Sequence, residues 1–111
     1  MISYIKIQGN RQTGKSRLLA HYIKDAQESG RKVILTGQSM HMLKHLEQSF
    51  NFRADMLTTN SNSKLLLGTK DYDVLAIEES LSSPIADVIA QFSPYLKDTA
   101  IVVYTGNITE L

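Results

Sequence analysis

Cysteine is absent from this chain of 111 residues. That excludes a disulfide framework and any zinc site built on thiolates, and it suits a reducing compartment. Long apolar runs are missing too: none approaches the roughly 20 residues that span a bilayer. The opening Met1-Ile2-Ser3-Tyr4-Ile5-Lys6-Ile7 has neither the basic lead nor the long apolar stretch of a secretory signal. A cytoplasmic protein with no membrane partner is expected. Neither sign of charge is in excess. Twelve Lys and Arg against eleven Asp and Glu leave a formal +1, which argues against a strongly basic nucleic-acid platform but not against a local basic patch. Repeats, linkers and low-complexity segments are lacking, so residues 1–111 read as a single domain. With 42% hydrophobic and 21% charged residues, the composition is that of an ordinary soluble globular chain rather than a disordered one.

What is present is an alternation of two periodicities. Tyr4 to Gln8 is apolar and β-branched enough for a strand and stops at Gly9. Lys15 to Ser29 reads as a helix whose buried stripe is Leu18, Leu19, Tyr22, Ile23 and Ala26, with Gly30 at the C-terminal cap. Lys32 to Thr36 is almost wholly apolar, as strands covered on both faces tend to be. Ser39 is an N-cap for a second helix carrying Met42, Leu43 and Leu46, with Phe50 near its end. Residues 51–63 carry weaker signals: an extended piece over Arg53 to Thr58, then a turn at Asn60-Ser61-Asn62-Ser63. Lys64 to Leu67 reads as a short helix that Gly68 ends. Asp73 to Ile77 is a third strand. Ser83-Pro84 starts a helix with Ile85, Val88, Ile89 and Phe92 on its apolar face, and Pro94 ends it. Ala100 to Tyr104 is a fourth strand. The order β-α-β-α-β-α-β demands right-handed crossovers, a parallel sheet and helices on both faces, an α/β/α sandwich of three layers.

The sharpest motif is Gly9-Asn10-Arg11-Gln12-Thr13-Gly14-Lys15-Ser16, which satisfies every fixed position of G-x-x-x-x-G-K-[ST]. The glycines let the backbone turn tightly and approach phosphate oxygens with no Cβ in the way. The loop N–H groups then form an anion-binding nest, and the helix that starts there adds the favourable end of its dipole. Residues 9–16, with Arg17 following, are the candidate nucleotide-binding set. Lys15 reaches the β- and γ-phosphates and the Ser16 hydroxyl binds Mg²⁺. The motif sits between a strand and a helix, as its mechanism requires; a plain Gly-rich turn is the bland alternative.

A second motif is Val74-Leu75-Ala76-Ile77-Glu78-Glu79, an apolar strand that delivers two acids at its end. It has the form of a Walker B segment. Glu78 is the expected metal-site acid, in a place where aspartate is usual, and Glu79 the residue that orients or deprotonates attacking water. Thr105-Gly106-Asn107 after the last strand offers Asn107 and Thr105 as further contacts to the γ-phosphate or the water, although a Gly-Asn turn explains it equally well. His41 and His45, four apart on a helix, have the spacing of two metal ligands without an evident third. The methionines Met40, Met42 and Met56 read as core or loop filler.

On these residues the chain resembles a P-loop NTPase of the additional-strand, catalytic-glutamate division, which includes AAA-type ATPases, RecA-like motors, helicases and viral DNA-packaging terminases. The resemblance covers nearly the whole chain, with sharp motifs at 9–16 and 74–79. It implies a four-stranded sheet in the order strand 1, strand 4, strand 3, strand 2. It also implies ATP or another NTP with Mg²⁺ as ligands, Lys15 and Ser16 in the Walker A roles, and Glu79 as catalytic glutamate. Family motors usually carry a fifth strand and a lid or sensor region, and many keep an arginine finger beyond Walker B. Here Arg11, Arg17, Arg31 and Arg53 are the only arginines, and Arg11 is the best local finger candidate. The expected activity is ATP hydrolysis coupled to DNA, RNA or a partner protein, with a homo-oligomer or a larger ATPase as possible company. Two alternatives stand beside it. One is a nucleotide-binding regulatory module without turnover. The other is a small-molecule or nucleotide kinase, disfavoured by a second half whose only cations are Lys64, Lys70 and Lys97 and by the lack of an obvious acceptor pocket.

Overall fold

A computed structural model describes residues 2–7, 15–37, 39–59, 71–78 and 85–105, with Lys15 and Ile85 described by backbone only. The elements are β1 (Ser3–Ile7), α1 (Lys15–Glu28), β2 (Val33–Gly37), α2 (Met40–Phe50), β3 (Met56–Thr59), β4 (Tyr72–Ile77), α3 (Ile85–Phe92) and β5 (Leu96–Thr105). A single 3₁₀ turn at Ser93–Tyr95, opened by Pro94, joins α3 to β5. All strand pairs are parallel. Each strand must therefore be followed by a crossover that returns the chain to the other end of the sheet.

The sheet has five strands in the order β1-β5-β4-β2-β3. This corrects the expected four-stranded sheet in its count and in its order. The four anticipated strands keep their neighbours, and β3 is added outside β2. The weak extended signal at Arg53 to Thr58 thus belongs to a true strand, Met56–Thr59, which pairs Ile34 with Met56 through to Gly37 with Thr59. Its four residues carry no pattern of their own strong enough to announce a strand; β2 supplies the hydrogen-bonding edge. β5 is also longer than Ala100 to Tyr104. It begins at Leu96, opposite Tyr72, and an irregularity in the pairing follows before Ile101 meets Val74.

Alternation along the strands sorts the core into two halves. Val33, Leu35, Val74, Ala76 and Val103 face α1 and α2, packing on Leu19, Ile23, Leu43 and Leu46. Ile34, Leu75, Ile77 and Val102 face the other way, onto Val88 and Phe92 of α3. β2 is buried along its whole length, the consequence of helices on both faces. Leu18 departs from the expected buried stripe: it is 51% exposed, because it lies on the flank of a helix whose buried arc centres on Leu19, Ile23 and Ala26. Met42 is likewise half-exposed rather than core.

The caps follow local chemistry. Gly30, with φ +83°, ends α1 in the left-handed conformation and donates to the Gln27 carbonyl at 3.0 Å. Ser39 accepts from the Met42 N–H at 3.5 Å to open α2, and Asn51, with φ 55°, closes it. Among the described residues no helix is long and apolar enough to cross a membrane.

Candidate functional site

Parallel strands bring all their C-terminal ends to one side of the sheet, and the helix that follows a strand starts there. The N-terminus of α1 and the end of β4 therefore share an edge. Because Glu78 is two residues beyond Ala76, it emerges on the α1/α2 face. Its backbone N–H donates to the Thr36 carbonyl at 2.9 Å, which fixes the exit of the chain from β4. Gly37, two beyond Leu35, reaches the same face. A Cβ built on Gly37 would meet the Glu78 Cβ at 3.2 Å and Leu43 Cδ2 at 2.9 Å. The absence of a side chain at Gly37 is what lets α2 and Glu78 close on the end of β2.

Ser16 and Glu78 line one cleft of about 250 Å³. Its other wall is a face of α2: Met42, His45, Leu46, Ser49 and Phe50. His45 Nε2 lies 3.4 Å from the Ser49 hydroxyl one turn on. Two residues chosen from different motifs, the hydroxyl of the phosphate-loop consensus and the first acid after β4, are thus brought together. Arg17 is exposed on the first turn of α1. Thr105 ends β5 beside Ile7 and is buried on the α1 face; among the described residues its hydroxyl has no hydrogen-bond partner. The Thr36 hydroxyl, wholly buried on the α3 face, has none among the described residues either.

Several expected site residues lie outside the described residues: Gly9, Asn10, Arg11, Gln12, Thr13 and Gly14 of the loop, Glu79, and Asn107. So do the Asn60–Ser63 turn, the Lys64–Gly68 segment and the Ser83-Pro84 helix start. Of Lys15 the backbone is placed, as the first residue of α1.

A hard divalent cation takes oxygen ligands and keeps several waters. The Ser16 hydroxyl and the Glu78 carboxyl line one cleft and are oxygen donors of the kind such an ion takes. Among the described residues no group of three or more His, Cys, Asp or Glu side chains comes together, so His41 and His45 gain no third ligand there.

The sequence reading missed Gly37 and the α2 wall. Gly37 directly follows an apolar strand, a position where glycine signals close approach. His45 and Ser49 stand one turn apart, a pairing visible in the sequence once α2 is granted. No protein-family model matches the chain, and no curated protein matches it.

Proposed function

We propose that the chain is a P-loop nucleoside triphosphatase of the additional-strand, catalytic-glutamate type, binding ATP with Mg²⁺ in the cytoplasm. The observation that carries this reading is the meeting of Ser16 and Glu78 in one cleft at the C-terminal edge of a parallel sheet. The position of β5 between β1 and β4 supports it, as does the Thr105 hydroxyl at the same edge, which has no partner among the described residues.

In this proposal the backbone N–H groups of residues 9–14 and the start of α1 hold the phosphates, and Lys15 bridges the β and γ groups. Ser16 and Glu78 would hold Mg²⁺, which would supply charge neutralisation at the phosphate oxygens. Glu79 takes a proton from water as its oxygen attacks the γ-phosphorus. The bond from that phosphorus to the bridging oxygen breaks, and ADP and phosphate leave. Asn107 and Thr105 orient the water or the γ-phosphate. Turnover is coupled to nucleic acid or to a partner protein.

A second reading has one observation in its favour. The α2 wall of the cleft, with Met42, Leu46 and Phe50 beside His45 and Ser49, has the mixed lining of a small-molecule pocket. A hydroxyl-bearing acceptor seated there would receive the phosphoryl group in place of water.

The test is ATP turnover by the purified chain with Mg²⁺, with and without single- and double-stranded DNA, beside Glu79→Gln. Phosphate release that Glu79→Gln abolishes while nucleotide stays bound is the expected result, and stimulation by DNA identifies the coupled partner. Nucleotide bound with no release, alone or with DNA, replaces the hydrolase by a regulatory module. No nucleotide binding at all rejects the P-loop reading.

A further inference from the structure

His45 belongs to neither of the two motifs, yet it lines the same cleft as Ser16 and Glu78. The helix that carries it is anchored. Leu43 and Leu46 of α2 are buried against Val33 and Leu35 of β2, and Ser39 and Asn51 cap its two ends. His45 and Ser49, four residues apart, share one face of α2. The His45 Nε2 lies 3.4 Å from the Ser49 hydroxyl, the one side-chain partner His45 has among the described residues. A histidine ring has two nitrogens. Ser49 occupies one of them, and the other is left for a ligand.

The rest of the lining gives that nitrogen its role. Met42, Leu46 and Phe50 on the same wall are apolar, and in an apolar wall a hydrogen bond to a charged group is strengthened. Among the described residues of the cleft, His45 is the only nitrogen-bearing side chain and Glu78 the only acid. The cleft is also small. Its volume of about 250 Å³ falls below the roughly 300–1,000 Å³ of pockets that enclose a whole drug-sized ligand. A terminal phosphate with a few waters matches it better in size than a base and ribose do.

We infer that His45 donates a hydrogen bond to the γ-phosphate of the bound nucleotide, and that this contact makes the site distinguish a triphosphate from a diphosphate. The inference rests on the phosphate-loop reading proposed above. In that reading the loop backbone encloses the β-phosphate, and Ser16 and Glu78 face the metal that bridges the β- and γ-phosphates. The γ-phosphate is then the group turned toward the cleft that His45 lines. Ser49 is a positioning residue: it holds one ring nitrogen so that the other meets the phosphate.

Titration calorimetry in Mg²⁺ with a non-hydrolysable ATP analogue and with ADP tests this by binding rather than by turnover. His45 is exposed on α2, so its replacement leaves the core intact, and circular dichroism checks that it does. His45→Ala is expected to weaken the analogue about tenfold or more, the usual contribution of a hydrogen bond to a charged group, and to leave ADP affinity unchanged. His45→Gln, which retains a donor, recovers part of the loss. Ser49→Ala shifts the analogue in the same direction by less. A folded His45→Ala that binds the analogue as the wild type does overturns the inference, and so does one that loses analogue and ADP alike. Should His45→Ala not fold, His45→Phe keeps a ring without the nitrogens and is read by the same two outcomes. A wild-type chain that binds neither nucleotide rejects the phosphate-loop reading itself, and this inference with it.

Discussion

Gly37 and Glu78 stand in close contact: a Cβ on the glycine would lie 3.2 Å from the Glu78 Cβ, which would have to give by a few tenths of an ångström. The same Cβ would lie 2.9 Å from Cδ2 of Leu43, the end of a fully buried side chain, which would have to shift. Gly37→Ala is therefore expected to lower stability by about 1–3 kcal/mol, the usual range for overpacking. It also displaces Glu78 from the cleft it shares with Ser16. Thermal unfolding reads the first effect. In the proposed function, Mg²⁺-dependent nucleotide affinity reads the second, and an unchanged affinity would separate Glu78 from the metal.

Lys15→Ala and Ser16→Ala divide the phosphate and metal roles of the proposed site. Lys15→Ala is expected to abolish nucleotide binding or weaken it severely, with or without Mg²⁺. Ser16→Ala should weaken ATP binding about tenfold or more in Mg²⁺, a loss of roughly 1.4 kcal/mol, and far less in EDTA. Titration calorimetry under both conditions measures the difference. Wild-type affinity in Lys15→Ala would end the phosphate-loop reading.

Thr36 and Thr105 bury hydroxyls that have no partner among the described residues, and an unsatisfied buried hydroxyl costs about 1–3 kcal/mol. Valine has nearly the same shape without the polar atom. Thr36→Val and Thr105→Val are each expected to raise the unfolding free energy of the ligand-free protein, by up to about 1 kcal/mol. The two should part company in function. Thr105 sits on the α1 face beside the end of β1, so its replacement slows turnover in the proposed mechanism. Thr36 lies on the α3 face, and its replacement leaves turnover alone. Chemical denaturation and ATPase rates on both variants check the pair.

Asp73 holds the opposite end of the sheet. One carboxylate oxygen accepts the Lys32 backbone N–H at 2.9 Å, and the other lies 3.1 Å from Lys97 Nζ. The backbone hydrogen bond from Lys32, with a smaller contribution from the half-exposed Lys97 and against some desolvation, holds its pKa below the ordinary carboxylate value. A folded pKa below the unfolded one stabilises the protein above the unfolded value, about 3.9 for aspartate. That stabilisation is lost as pH falls through the folded value. Asp73→Asn should cost about 1 kcal/mol at neutral pH, since the charge-assisted hydrogen bond is weakened and the surface ion pair adds little. Denaturation curves at neutral pH and near pH 3 are expected to differ less in the variant than in the wild type, where the acid end of the range releases this bond.

Local pattern carried much of the fold. Lys32 to Thr36 and Asp73 to Ile77 are continuous apolar runs, and a strand buried on both faces has no other way to look. α1, α2 and α3 declare themselves by spacing, and Gly30 and Ser39 by the conformations and hydrogen bonds their positions require. β3 was harder to see because Met56-Leu57-Thr58-Thr59 is short and half polar; its strand character comes from β2, which lies far back in the chain. Leu18 reads as core in a list of apolar positions, yet its place on the helix flank leaves it half in water.

The candidate site divides in the same way. That residues 9–16 have the form of a phosphate loop, and that two acids follow an apolar strand at 78 and 79, is written in the sequence, because each depends on neighbours along the chain. Tertiary structure alone decided that α2 walls the cleft of Ser16 and Glu78 with Met42, His45 and Phe50, that Gly37 packs closely on Leu43 and Glu78, and that β3 adds a fifth strand outside β2. These depend on which strands pair and which helix covers them. Such relationships join residues distant in sequence, and they follow from burying the two faces of one sheet rather than from any local preference.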